Sequence, residues 1–180
     1  EAGVEAFTIV SAQSSASYFA DEKLASLPTG STAEGRTTIE GVFYLTPEGL
    51  AAAQATVFTV DLAGLESSES RRDTRVRGAL QTSQFPVATF TASSLDGFPG
   101  EFPADGTEIT MHLTGILDLR GVQREVTWEV QARRDGDIIS AIATINFLYA
   151  DFNIPVPNIA GFVSVEDDVT LQANIIATRS

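Results

Sequence analysis

The feature that most constrains this chain is the alternation of apolar and polar residues over long runs. Ile109-Thr110-Met111-His112-Leu113-Thr114, continuing to Leu119, carries an apolar side chain at every second position. On an extended strand such residues share one face. Val126-Thr127-Trp128-Glu129-Val130-Gln131, Thr56-Val57-Phe58-Thr59-Val60-Asp61-Leu62 and Val169-Thr170-Leu171-Gln172-Ala173-Asn174-Ile175 repeat the pattern. Further strands are expected over 6–12, 15–19, 37–45, 88–95 and 138–149. Arg120-Gly121 and Asp135-Gly136 read as tight hairpins, the second because both residues tolerate positive φ. Strands 107–119, 122–134 and 137–149 are therefore expected to form an antiparallel meander. Long strands in succession favour a sheet that curls shut, because closure removes exposed edges.

Breaks in the alternation locate the other elements. Ser70 can cap a helix over Arg71 to about Leu80, with Asp73 near the positive end of its dipole. Thr46-Pro47-Glu48 predicts a second, shorter helical turn running into Ala53, with Pro at its first position. Gly and Pro punctuate 96–106, which reads as a surface loop, and 20–36 reads as a long loop. Ile154-Pro155-Val156-Pro157 cannot lie in a central strand, so the chain is expected to leave the sheet there. No internal repeat or linker interrupts the sequence, and 1–180 reads as one domain.

Composition narrows the function. Hydrophobic residues make up 43% and charged residues 19%, which predicts a folded chain. No apolar run approaches the roughly 20 residues of a membrane-spanning helix. The net charge of −13 repels phosphates, so no nucleic-acid partner is expected. The absence of cysteine removes disulfides, thiolate metal sites and cysteine nucleophiles. Arg71, Arg72, Arg75 and Arg77 form one local basic cluster, read either as a solvated helix face or as a docking site for an anionic headgroup.

Catalytic chemistry finds little purchase. His112 is the single histidine and lies on the polar side of its strand, without the partners of a triad or a metal site. Glu166-Asp167-Asp168 reads as a solvated loop, and Glu66, Glu69 and Asp73 as helix-capping residues. No Gly-x-Ser-x-Gly elbow, phosphate loop or dinucleotide fingerprint occurs. The reading is a non-enzyme with no catalytic residue, no metal and no cofactor.

If the sheet closes, its inner face mixes sizes. The inward candidates are Phe43, Phe58, Val60, Phe90, Met111, Leu113, Trp128, Val130, Ala143, Ile145, Phe147, Ala173 and Ile175, with Gly41, Gly115 and Ala141 as further small positions. An eight-stranded barrel can be filled by such side chains or can hold one small ligand. The pattern alone leaves both open, because small residues also fit the taper of a packed barrel.

An ordered set of segments resembles the YceI-like, polyisoprenoid-binding family. The segments are Asp61-Leu62-Ala63-Gly64-Leu65-Glu66-Ser67, Arg72-Asp73-Thr74-Arg75-Val76-Arg77 and Phe85-Pro86-Val87-Ala88-Thr89-Phe90-Thr91-Ala92. They continue with Leu113-Thr114-Gly115-Ile116-Leu117-Asp118-Leu119-Arg120-Gly121-Val122, Asp151-Phe152-Asn153-Ile154 and the closing strand from Val165 to Ala177. Asn153 stands where the family usually has Gly, and Ser11 where Asp is common. The resemblance implies an all-β fold: an extended, eight-stranded, antiparallel, lipocalin-like barrel with one short flanking helix. It implies an apolar tunnel holding a polyisoprenoid or quinone-like lipid, lined by the thirteen larger and small apolar residues named above. It also implies an extracytoplasmic location, with a signal peptide removed ahead of Glu1. A homodimer is compatible with this reading. The other reading is a barrel with a packed core, acting as a stress-response or protein-interaction module through loops 20–36, 96–106 and 152–162.

Overall fold

The structure is a computed structural model that describes residues 3–24, 31–156, 163–165 and 167–180. Eight barrel strands follow one another around a ring. Strand β1 comprises Glu5–Ile9 and Ser15–Leu24, and β2 comprises Ser31–Thr37 and Ile39–Thr46. Then come β3 (Val57–Asp61), β4 (Val87–Asp96), β5 (Ile109–Leu119), β6 (Val122–Asp135), β7 (Ile138–Leu148) and β8 (Asp168–Arg179). Each pairs antiparallel with the next. Strand β8 then pairs with both halves of β1, through Ala173↔Ala16 and Phe7↔Arg179, and the sheet is closed. The 3-10 turn Ser11–Gln13 between the halves of β1 is tied to β8 by Val10 N–H donating to the Ile176 carbonyl at 2.8 Å.

The two hairpins obey different turn chemistry. Leu119 pairs with Val122, leaving Arg120 and Gly121 as the loop, both at positive φ (55° and 72°). This is the type I′ arrangement, whose twist matches the flanking strands. In the second hairpin Asp135 pairs with Ile138, so the loop is Gly136-Asp137, and only Gly136 has positive φ. The turn lies one residue beyond the Asp135-Gly136 pair expected, with glycine in its first position.

Three expectations are corrected. The stretch 46–53 contains no helix. The Thr46 hydroxyl accepts the Glu48 N–H at 3.2 Å, Gly49 reverses the chain at φ +120°, and Gly49–Leu50 pairs back on β2. Much of 20–36 is strand: Ala20–Ala33 and Glu22–Ser31 are paired, and 25–30 lie outside the described residues. Helix α1 spans Ser70–Leu80, but its N-cap is Glu69, whose side chain makes no capping bond. Asp73 is buried and accepts the Ser67 N–H at 2.9 Å, which stitches the first turn of α1 to the short strand Glu66–Ser67.

Helix α1 lies across one end of the barrel. Arg120, in the first hairpin, donates through Nε to the Ala79 carbonyl at 2.9 Å and through its guanidinium to the Asn153 carbonyl at 2.6 Å. The 3-10 turn Tyr149–Phe152 packs beside it, with Phe152 fully buried against Phe147. Asn153 ends that turn at φ +54°, a conformation that Gly takes freely and Asn tolerates, which explains how Asn serves where Gly is usual. Pro155 follows outside the sheet, and Pro157 lies outside the described residues. The opposite end is packed by aromatic rings. Phe7 is fully buried and stacks on Phe43 at 5.3 Å, and Phe98 meets Phe102 at 5.4 Å. Loop 96–106 is thus not purely a surface loop, because these two rings turn back onto the core. Arg134 covers Phe7, 5.2 Å from the ring centre, and makes a two-pronged salt bridge to Glu5 at 2.8 and 3.1 Å.

Candidate functional site

Strand parity decides what faces inward. On β6 the even residues point to the lumen, among them Val126, Trp128, Val130 and Ala132, while the odd residues between them are exposed. On β7 and β8 the odd residues do so. Yet the lumen is not filled. Val60, Leu113, Trp128, Leu171 and Ile175 point inward and remain only partly buried, because part of their surface faces a hollow.

That hollow is a cavity of about 640 Å³. It falls within the roughly 300–1,000 Å³ typical of small-molecule sites. Its wall is predominantly apolar. An aromatic series crosses it, Phe43–Phe58 at 6.3 Å, Phe58–Phe90 at 6.3 Å, and Phe90 edge-on to Trp128 at 5.9 Å. Small residues sit on the other strands: Ala143 pairs with Ala173, and Ala173 with Ala16. Large side chains on one side and alanines on the other leave the space open.

Among the described residues, charged groups on the wall come only from the start of α1: Glu69, Arg72 and Arg75. They mark the polar side of the cavity. Arg72 pairs with Glu69 at 3.5 Å and donates to the Ser67 hydroxyl at 3.4 Å. Val76, Ala79 and Leu80 continue the same helix face as apolar wall, the i, i+4, i+7 spacing of a helix stripe. Elsewhere the wall residues Ser17 and Trp128 each bury a polar atom, Oγ and Nε1, that has no hydrogen-bond partner among the described residues.

Of the thirteen residues expected to line a tunnel, Phe43, Phe58, Val60, Phe90, Met111, Leu113, Trp128, Val130, Ala143, Phe147, Ala173 and Ile175 lie on the cavity wall. Ile145 does not. It points inward but is 9% exposed and packed into the core. Ala141 lines the cavity, whereas Gly41 and Gly115 are covered by the rings of Phe58 and Phe90. The wall also includes Leu62, Leu65, Leu80, Leu117, Leu119 and Leu171. Leu117, Leu119 and Leu171 belong to alternating runs already visible in the sequence. Leu62 closes the alternating run that starts at Thr56, Leu80 follows from the helix stripe, and Leu65 had no periodic signal.

The remaining candidates are dispersed. His112 is exposed on the outer face of β5, opposite Glu129. Asp168 accepts the Asn146 side-chain amide at 2.8 Å, Asp167 is exposed, and Glu166 lies outside the described residues. Arg71 is exposed, and Arg77 donates to the Leu65 carbonyl at 3.1 Å. Among the described residues no three His, Cys, Asp or Glu side chains converge as a metal cluster would require.

The chain resembles proteins of known sequence and structure in the same terms. A UPF0312 protein of Vibrio vulnificus, VVA0736, is 28% identical over 137 residues, 72% of this chain and 68% of that protein. Protein YceI of Escherichia coli O157:H7 is 32% identical over 100 residues, so the match spans 54% of this chain and about half, 47%, of that protein. Two solved structures share the fold at low identity. The polyisoprenoid-binding domain from Saccharophagus degradans superposes with a TM-score of 0.74 at 16% identity, over 97% of this chain and 98% of that one. BcnA of Burkholderia cenocepacia gives 0.68 at 21%, over 94% and 99%. The YceI-like domain profile matches residues 7–177, nearly the whole chain, and the protein belongs to the YceI-like family.

Proposed function

We propose that the barrel binds a long apolar lipid, a polyisoprenoid or a similar amphiphile, and carries or stores it. The observation that carries this reading is the cavity of about 640 Å³ with an apolar wall inside a closed barrel. A barrel packed solid would leave no such space, so the cavity favours this reading over a protein-interaction module with a filled core. Burial of one CH₂ contributes roughly 0.8 kcal/mol, so a five-carbon isoprene unit contributes about 4 kcal/mol before ordering costs. Two or three units suffice for useful affinity without any polar contact. The charged group of residues at the start of α1 gives the hydrocarbon sleeve a polar side, which suits an amphiphile. Among the described residues no nucleophile–base pair lines the cavity, and the reading is binding rather than catalysis. An extracytoplasmic setting fits a carrier of this kind.

The test is extraction of purified protein followed by mass spectrometry, together with uptake of a prenol probe. A long-chain lipid in the extract, near one per chain, is the expected result. Clean extracts combined with no probe uptake would refute the proposal.

A further inference from the structure

Trp128 stands near the midpoint of β6, on the inward parity, with its ring edge-on to Phe90 at 5.9 Å. Its Nε1 is buried without a hydrogen-bond partner among the described residues, in a cavity whose wall is mostly hydrocarbon. An indole N–H can only donate. A buried donor without an acceptor is costly, and proteins seldom keep one without a reason. A phenylalanine would fill the place at no such cost. Ser17 also lines the cavity with an unpartnered oxygen, but a hydroxyl both donates and accepts and so does not define the ligand atom it would meet, and the case rests on Trp128.

We propose that Trp128 Nε1 donates a hydrogen bond to an uncharged oxygen of the ligand held at mid-barrel. This inference rests on the binding reading above and specifies its ligand class. The barrel then selects oxygen-bearing prenyl lipids, such as ketones, over pure prenyl hydrocarbons. It draws the oxygen inside rather than leaving it beside Arg72 and Arg75. The oxygen is uncharged because, among the described residues, the charged wall residues lie at the start of α1, and an isolated buried anion would be prohibitively costly.

Trp128 is the single tryptophan of the chain, so intrinsic emission reports on this one side chain. The probes are geranylgeranylacetone, which carries one carbonyl, and the hydrocarbon of the same chain length without it. Affinities come from displacement of the apolar dye N-phenyl-1-naphthylamine, on the full chain and on Trp128→Phe. The unaltered protein is expected to prefer the ketone by about tenfold, the worth of one recovered hydrogen bond. Its emission is expected to shift to the red with the ketone and not with the hydrocarbon. Trp128→Phe is expected to bind both alike. Equal affinity of the unaltered protein for the two probes, with identical emission, overturns the inference, and this outcome needs no variant. A preference that survives in a folded Trp128→Phe overturns it as well. Displacement by neither probe overturns the binding reading itself, and this inference with it.

Discussion

Ala143→Phe separates a hollow barrel from a packed one. Ala143 sits on the cavity wall of β7, paired with Val130 on β6 and with Ala173 on β8. A phenylalanine there has nowhere to point but the lumen. The added phenyl group brings six carbons, about the bulk of one isoprene unit. A ligand that loses contact for five carbons at roughly 0.8 kcal/mol each binds about 4 kcal/mol more weakly, close to a thousandfold. In a filled core the same change would overpack the interior and cost about 1–3 kcal/mol of stability. In a cavity of about 640 Å³ the ring occupies existing space, so stability is expected to hold or rise slightly. Dye displacement by a long-chain prenol measures the first quantity, and thermal unfolding by circular dichroism measures the second. A large fall in Tm with undiminished prenol binding would refute the reasoning, because the ring would then have met protein where ligand was supposed to lie.

Other expectations follow from single contacts. At Gly115 a Cβ would collide with the Thr91 carbonyl oxygen and lie 2.8 Å from both the Ala92 Cα and the Phe90 ring, beside the bulge where β4 slips register on β5. Gly115→Ala is therefore expected to destabilise by about 1–3 kcal/mol, a fall of several degrees in Tm, and an unchanged melting curve would contradict the close approach. The hydrogen bonds from Arg134 hold the Glu5 carboxyl below the ordinary carboxylate range, with Arg179 adding attraction. A depressed carboxylate stabilises the fold above its unfolded pKa, and that contribution is lost as pH falls through the folded-state value. Glu5→Gln should thus lower Tm at neutral pH and match the unaltered protein in acid; a gap independent of pH would exclude this role.

What the sequence disclosed depended on side-chain size. Strands β5, β6 and β8 were plain because Leu, Ile, Val, Trp and Met alternate with polar residues. The first half of β2 alternates just as strictly, with Ala33, Gly35 and Thr37 as its inner set. Residues that small carry no hydrophobic period, so 31–36 read as loop. The turn at 46–53 misled for a related reason. Pro after Thr signals a helix start, but the outcome was decided two residues later, by Gly49 at φ +120°. Most of the wall was legible because parity on a strand fixes which residues face inward once one face is known. Whether an inward residue meets solid core, as Ile145 does, or open space depends on what projects from distant strands, and no local pattern contains that. The polar end of the cavity was half visible: the arginine cluster was plain, but the placement of Arg72 and Arg75 on the wall required the path of α1.

The seam of the barrel joins the extremes of the chain: Phe7, Thr8 and Ile9 pair with Arg179, Thr178 and Ala177. Contacts of such long sequence separation form late, since the intervening loop must be closed before they yield anything. During synthesis there is consequently no interior at all until the final strand emerges. A cargo cannot be wrapped by a half-made protein. On the binding reading it must enter a finished container, and loss of only those last three paired residues would part β8 from the first half of β1 while Ala173 and Ala16 still hold it to the second.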